Sequence, residues 1–202
     1  MDKQHYTKSI IEYERLKNMQ NQIFRNKEFP DQVFCPNYGR FRFSEYNWGD
    51  QEVYWDVIQS LAKQCCDAYL FFSIINPDPI EYYYKAFGMY PCCTLMGNST
   101  WEDFVSFFEY SFSKEYCDSF QFGPRSVCCY GSSLKWGIYG DQDLETSILA
   151  IREDSEIDLN IVKNKWKSLE DALDIWIPLV FTHSGMVVPK MIEEPLRKNY
   201  SV

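Results

Sequence analysis

The sequence predicts an α+β fold in which helices pack against a mixed, largely antiparallel sheet. Helical periodicity dominates the first third of the chain, whereas three short strand candidates follow one another closely after residue 125. Of the 202 residues, 46% are hydrophobic and 18% are aromatic, which is ample material for a large core. We therefore expect one α+β domain over residues 1–185 and an irregular C-terminal tail over residues 186–202.

Two long helices are expected in the first third of the chain. Within residues 1–30, apolar side chains recur every three or four positions from Tyr6 to Ile23, which predicts an N-terminal helix. Pro30 disfavours helix in the residue before it and is expected to end this segment. A second helix fits residues 50–65, where apolar positions again lie on one face.

Later helices are predicted from their starting signals. Ser99 or Thr100, each with an acidic residue three positions later, begins one helix, and Ser168 begins another with the same capping-box spacing. Pro178 predicts a kink or a stop in the second of these. Residues 158–166 are expected to form a further short helix.

Short apolar or alternating runs predict the strands. The run of residues 68–75 is apolar almost throughout, which is typical of a strand covered on both faces. The other strand candidates are residues 40–43, 90–96, 126–130, 134–139 and 146–152. The polar stretch of residues 140–145 is expected to join the last two as a hairpin.

Charge excludes several classes of partner. The formal net charge is −9, and residues 44–122 alone hold twelve acidic and three basic residues. Such a chain is not expected to bind nucleic acid, because phosphate binding requires clustered lysine and arginine. The sequence contains no apolar run of the kind that would predict a membrane span or a signal peptide, so we expect a cytoplasmic protein. Its negative field would attract a basic protein partner.

Six of the eight cysteines form three adjacent pairs, which begin at Cys65, Cys92 and Cys128. Neighbouring residues on a strand point to opposite faces, so a disulfide within a pair is disfavoured and buried thiols are expected. In the alternative interpretation, some of these thiols bind a zinc ion together with His183. We expect no cofactor.

Signals for catalysis are sparse. No Walker loop, GxSxG elbow or HExxH motif occurs. Only two histidines exist, and His5 lies near the chain terminus. In the catalytic hypothesis, His183 acts as a base for a Cys117 nucleophile. In the structural alternative, His183 lies at a helix C-terminus, where a positive charge is favourable.

The most distinctive local feature is the acidic stretch that follows Trp136. Its carboxylates alternate, but it lacks the glycine and glutamate positions of a calcium-binding EF-hand. A contact loop for a basic partner is one interpretation, and a charged hairpin tip that keeps a sheet soluble is the other. The expected partner-binding residues are Tyr139, Asp141, Asp143 and Glu145.

The segment from Trp136 to Ile151 resembles sequences in immunity proteins of bacterial polymorphic toxin systems. That resemblance implies a small, acidic, cytosolic α+β protein that binds and blocks a toxin domain.

The leading hypothesis is therefore a non-enzymatic protein that binds a basic partner, with neutralisation of a toxin domain as its specific form. The first alternative is an enzyme or small-molecule binder with a pocket that uses Cys117, His183 or a buried carboxylate. The second is a self-associating structural protein, and the sequence leaves the oligomeric state open.

Overall fold

The computed structural model describes residues 6–46, 52–112, 119–120, 124–162 and 165–201. Its helices are α1 (Ile10–Gln20), α2 (Glu52–Cys65), a π-helical segment (Pro79–Tyr84) that continues into α3 (Lys85–Phe87), α4 (Trp101–Phe108), α5 (Leu169–Ile175), α6 (Ile177–Val180) and α7 (Lys190–Tyr200), with 3₁₀ turns at Leu159–Ile161 and Thr182–Ser184. Its strands are β1 (Tyr38–Glu45), β2 (Tyr69–Asn76), β3 (Cys92–Met96), β4 (Ser126–Gly131), β5 (Trp136–Asp141) and β6 (Thr146–Arg152).

The six strands form one sheet in the order β1-β6-β5-β4-β2-β3, and every neighbouring pair is antiparallel. Consecutive hairpins join β4, β5 and β6, whereas β1 and β2 reach the sheet from earlier in the chain. The structure therefore confirms the α+β class.

Both faces of the sheet are covered, because successive strand residues supply two separate cores. Helices α2 and α4 pack on one face, and α1, α5 and α7 pack on the other. The adjacent cysteines show the alternation: Cys93 and Cys129 lie in the first core, while Cys92 and Cys128 lie in the second. All the cysteines in the described part of the chain are free thiols.

The starting signals of two helices are confirmed in atomic detail. Thr100 and Asp103 form a capping box at the start of α4, and Ser168 and Asp171 form one at the start of α5. Each box satisfies two backbone N–H groups that a helix start would otherwise leave without partners. Helix α5 ends at Ile175 and α6 begins anew beside Pro178, as the proline predicted.

Two expected helices are shorter than predicted. The N-terminal helix occupies only Ile10–Gln20, and residues 21–37 form turns that return along the sheet. Tyr6 leaves the helical stripe because its ring stacks on Phe112, at a centroid distance of 4.0 Å, in the core on the opposite face. Of the expected helix over residues 158–166, the described residues (158–162 and 165–166) form only the 3₁₀ turn Leu159–Ile161.

The prediction of an irregular tail over residues 186–202 is wrong. Residues Lys190–Tyr200 form α7, despite Pro195 inside the helix. Leu196 and Tyr200 are buried, so packing outweighs the hydrogen bond that the proline removes. The Tyr200 hydroxyl donates to the Asp31 carbonyl and accepts from the Val33 N–H at 3.0 Å, which ties the helix to the segment after α1.

Candidate functional site

The β5–β6 hairpin contains all four residues that the sequence predicted for partner binding. The Asp141 carboxylate accepts the Leu144 N–H at 2.9 Å, and the Thr146 hydroxyl donates to the Leu144 carbonyl at 2.7 Å. On the buried side, the Trp176 indole N–H donates to the Thr146 oxygen at 3.1 Å. Glu145 completes the turn with a φ of 45°, in the left-handed region. Side chains within the hairpin therefore fix its shape.

Two of these four residues are buried and do not present a contact surface, which corrects the prediction. Only 2% of Tyr139 and 5% of Asp141 is exposed, whereas Asp143 and Glu145 are exposed. The prediction placed all four residues in an exposed contact loop, but Tyr139 and Asp141 belong to β5, and helices cover both faces of the sheet. Burial raises the pKa of the Tyr139 hydroxyl, and the Ser126 side chain partly opposes that rise.

The exposed Asp143 is already paired. The Arg125 Nε lies 2.5 Å from a carboxylate oxygen of Asp143, and both side chains are about half exposed. An exposed pair of this kind adds little to stability, but it cancels most of the charge that Asp143 would offer a partner.

Asp141 lies at the centre of a group of charges. Burial is the main reason that its pKa rises from the ordinary 3.8 to about 6. The Leu144 N–H opposes this rise, and so does the Arg125 guanidinium, while the Asp143 and Glu28 carboxylates add to it.

An open groove of about 580 Å³ lies beside this hairpin. We name it the acidic groove, and its lining residues are Asn26, Lys27, Glu28, Asp31, Ile75, Asn76, Asp78, Ser126 and Tyr139. Three of these residues are carboxylates and one is a lysine. Lys27 lies 3.4 Å from Asp31, so this pair is neutral as a unit and Glu28 and Asp78 supply the remaining negative charge.

The sheet register brings the walls of the acidic groove together. Asn76 at the end of β2 pairs with Ser126 at the start of β4, and Ser126 pairs with Asp141 at the end of β5. The Asn76 amide donates to the Glu28 carboxylate at 3.4 Å, which joins the segment after α1 to this end of the sheet. Asp78 accepts the N–H groups of Ile80 and Glu81 at 2.8 Å and caps the π-helical segment.

The sequence interpretation missed Glu28, Asp31 and Asp78 as site residues. Glu28 and Asp31 flank Pro30 and were interpreted only as a helix stop. The available signal was that each of these three acidic residues lies within two positions of a proline, in a stretch where a turn is expected and side chains are commonly exposed.

A second groove, of about 840 Å³, lies at the C-terminal end of α2. Its lining residues are Asp56, Gln59, Ser60, Ala62, Lys63, Cys66, Asp67, Ala68, Met96, Gly97 and Asn98. Asp67 is buried and accepts the Trp136 indole N–H at 2.9 Å and the Ser133 backbone N–H at 2.5 Å. Through these hydrogen bonds the Asp67 carboxylate holds the end of α2 to the β4–β5 turn. The residues that line this groove include no histidine that could act as a base for the Cys66 thiol.

The structure brings together none of the sequence-based catalytic or metal candidates that it describes. His183 is exposed in the 3₁₀ turn Thr182–Ser184, and Cys117 and His5 lie outside the described residues. Burial raises the pKa of the Cys92 and Cys128 thiols to about 12, so both are protonated at neutral pH. In the described ranges, no three histidine, cysteine or carboxylate side chains are grouped closely enough to hold a metal ion.

Fold and site together define an α+β protein with an acidic groove at one end of an antiparallel sheet. Comparison with protein-family models, curated proteins and solved structures found no match for this chain. No helix within the described residues has the length and apolar character needed to cross a bilayer.

Proposed function

We propose that this chain is a non-enzymatic binding protein of the cytoplasm that recognises a basic protein partner through the acidic groove. The observation that carries the proposal is the pair Glu28 and Asp78. Neither of these carboxylates has an ion-pair partner among the described residues, although both line a groove with room for a lysine or arginine side chain. Neutralisation of a toxin domain, as in the immunity proteins that the hairpin segment resembles, is the specific form we propose.

Electrostatics supports a basic partner over a neutral one. A charged side chain that enters a partly enclosed groove loses water, and two unpaired carboxylates compensate for that loss. The net charge of −9 adds a long-range field that speeds the approach of a basic protein. The association rate should therefore fall steeply as salt is added.

The test replaces the two carboxylates with their neutral isosteres. In Glu28→Gln with Asp78→Asn, the side-chain shape is kept, and asparagine still caps the π-helical segment. A matched control, Glu156→Gln with Asp174→Asn, removes the same charge from two exposed carboxylates outside the acidic groove. Both proteins and the unaltered chain are used to capture partners from the native cell, and mass spectrometry identifies the captured proteins.

The unaltered chain and the control should capture the same basic protein, and the groove variant should lose it. Affinity for the purified partner should fall by roughly thirtyfold to a hundredfold in the groove variant. At each of the two positions a hydrogen bond to a charged group, worth about 1.5–3 kcal/mol, becomes a neutral one worth about 0.5–1.5 kcal/mol. Capture that survives in the groove variant, or partners that are not basic, would contradict the proposal.

The toxin-neutralising form has a separate test. The captured partner is expressed alone and together with this chain in a host cell, and growth is measured. We expect the partner to arrest growth and the unaltered chain, but not the groove variant, to restore it. A partner without toxicity would leave the binding function standing and remove the immunity assignment.

A further inference from the structure

The two edge strands of the sheet are protected to different degrees. At the β1 edge, Phe43 exchanges two backbone hydrogen bonds with Lys167, with N···O distances of 2.9 Å and 2.7 Å. Strand β1 also carries Arg40 and Arg42, and its register shifts between Tyr38 and Arg40. Charged residues, an irregular register and pairing with a loop all prevent an edge strand from pairing with another chain.

The β3 edge lacks these protections. The 5 residues of β3, Cys92–Met96, include no charged residue and no proline, and their pairing with β2 shows no shift in register. Thr94 and Met96 are both exposed, Met96 to 53%. This edge of the sheet is therefore accessible to a further strand.

The hydrogen bonds at the two ends of β3 show which backbone groups face outward. The Ile74 N–H donates to the Pro91 carbonyl at 3.0 Å, and the Gly97 N–H donates to the Ala68 carbonyl at 2.8 Å. Bonded and non-bonded pairs alternate along an antiparallel ladder, so the odd-numbered residues of β3 bond to β2. The N–H and C=O of Thr94 consequently point away from the sheet.

Thr94 is the residue of β3 whose two outward groups are both unpaired. On either side of it, the Cys92 carbonyl accepts the Thr7 N–H at 3.4 Å, and the Met96 carbonyl accepts the Ser99 N–H at 3.0 Å. Among the described residues, neither backbone group of Thr94 has a hydrogen-bond partner, and neither does the Met96 N–H. Unpaired groups of this kind are a template for strand addition.

We propose that β3 pairs with β3 of a second copy of this chain, antiparallel and with Thr94 opposite Thr94 across a two-fold axis. In this register the two Thr94 residues exchange both of their outward hydrogen bonds. The Met96 N–H of each copy faces the Cys92 carbonyl of the other copy, and a carbonyl oxygen can accept a second hydrogen bond. The two sheets of six strands thereby become one continuous antiparallel sheet.

A second copy fits this edge better than the basic partner proposed above. Strand β3 is uncharged and offers nothing that would select a cation, whereas a second copy brings an identical uncharged strand. A two-fold interface requires this self-complementarity, because the same patch of each copy meets itself. Two threonines directly opposite each other on an antiparallel pair also stabilise the pairing.

The effect of salt separates this association from the binding of a basic partner. Each copy carries a formal charge of −9, so two copies repel each other and added salt should tighten the dimer. Added salt should instead weaken the binding of a basic protein. The dimer should be reversible, since one pair of short edge strands buries less surface than a stable interface does.

Variants of Thr94 test the pairing and leave the hydrogen bonds to β2 intact. Thr94→Pro removes the outward N–H, and an edge strand tolerates proline where that N–H faces solvent. Thr94→Lys and Thr94→Glu each place like charges opposite each other in the dimer, whereas Thr94→Val keeps the branched shape and both backbone groups. Gln22→Lys and Gln22→Glu add the same charges at an exposed residue outside the sheet. Urea unfolding of each variant establishes that it folds.

Sedimentation equilibrium of each protein gives the dissociation constant of the dimer. We expect the unaltered chain, Thr94→Val and the two Gln22 variants to dimerise alike. Thr94→Pro should weaken the dimer by roughly fivefold to 150-fold, because two hydrogen bonds are lost. Thr94→Lys and Thr94→Glu should each weaken it by roughly twofold to fivefold, and an equimolar mixture of the two should dimerise more tightly than either alone. Amide exchange at Thr94 in the unaltered chain should slow as the dimer forms.

An unaltered chain that stays monomeric at every concentration and salt level would overturn the proposal, and so would Thr94→Pro if it dimerises as tightly as the unaltered chain. A mixture of Thr94→Lys and Thr94→Glu that dimerises no better than either variant alone would overturn the two-fold register. The acidic groove is tested independently, because Glu28→Gln with Asp78→Asn leaves β3 unchanged. Self-association can therefore fail while partner binding stands, and the reverse also holds.

Discussion

The buried carboxylate of Asp141 should make the protein less stable at neutral pH than at mildly acidic pH. Replacing it with asparagine tests this, because the amide has nearly the shape of the protonated acid and its oxygen still accepts the Leu144 N–H. Asp141→Asn should therefore keep the hairpin turn and remove only the ionisation.

The size of the effect follows from the two pKa values of Asp141. Its pKa is about 6 in the folded chain and is taken as the ordinary 3.8 in the unfolded chain. This difference corresponds to about 3 kcal/mol, because each tenfold change in proton affinity is about 1.4 kcal/mol. The folded chain binds the proton more tightly, so this contribution to stability is complete below the unfolded pKa and is lost as the pH rises through the folded pKa.

The assay is urea unfolding of the unaltered chain and Asp141→Asn at a series of pH values. At about pH 7 the variant should be more stable by up to about 3 kcal/mol, and the difference should close as the pH falls toward about 4. Because the other carboxylates titrate in both proteins, their effects cancel in the difference. A variant that is less stable at neutral pH would show that the fold favours the charged form of Asp141, and a difference that does not change with pH would show that folding leaves its pKa unshifted. Either result would refute the reasoning.

Two further predictions concern the contacts that hold the fold together. Asp67→Ala should lower the free energy of unfolding by about 2–5 kcal/mol, because it leaves the Trp136 indole N–H and the Ser133 backbone N–H without their acceptor, at about 1–3 kcal/mol each. A loss below about 1 kcal/mol in urea unfolding would show that water replaces the carboxylate. Tyr200→Phe should cost about 1–2 kcal/mol because the Val33 N–H loses its acceptor, and hydrogen exchange at that amide should speed up in the variant. Unchanged exchange at Val33 would mean that α7 does not protect this segment.

Much of the fold could be predicted from local patterns. Residues 146–152 form β6 with the predicted bounds, because their β-branched and apolar residues lie between a turn and a charged end. The capping boxes at Thr100 and Ser168 could also be predicted locally, because the aspartate that completes each box lies three residues further along the chain. Such features depend on neighbours in sequence and need no knowledge of the tertiary structure.

The missed features depend on contacts between distant segments. Helix α7 was missed because the segment was taken as a terminal tail, which is commonly irregular, whereas the burial of Leu196 and Tyr200 that stabilises it depends on the rest of the core. An apolar spacing of four residues, from Ile192 through Leu196 to Tyr200, was the signal that could have revealed it. Tyr139 was placed at the surface for a related reason, because the second layer of helices could not be inferred from alternation within β5 alone.

The acidic groove could not be predicted because its walls come from four separate segments. Glu28 follows α1, Asp78 follows β2, and Ser126 and Tyr139 belong to β4 and β5. They meet only because β4 pairs with both β2 and β5, and that strand order leaves no periodic trace in the sequence.

The hairpin itself contributes less charge to a partner than its three acidic residues suggest. The Asp141 carboxylate is buried and bonded within the turn, with a pKa raised to about 6, and Asp143 is paired with Arg125. Two of the three carboxylates of the hairpin are therefore engaged within the protein, one in a hydrogen bond of the turn and one in an ion pair. The carboxylates that have no ion-pair partner among the described residues, Glu28 and Asp78, line the acidic groove together with Tyr139 of the hairpin. Because an unpaired carboxylate gains most from an incoming cation, the recognition of a basic partner should depend on these two residues more than on the hairpin that first drew attention to this end of the sheet.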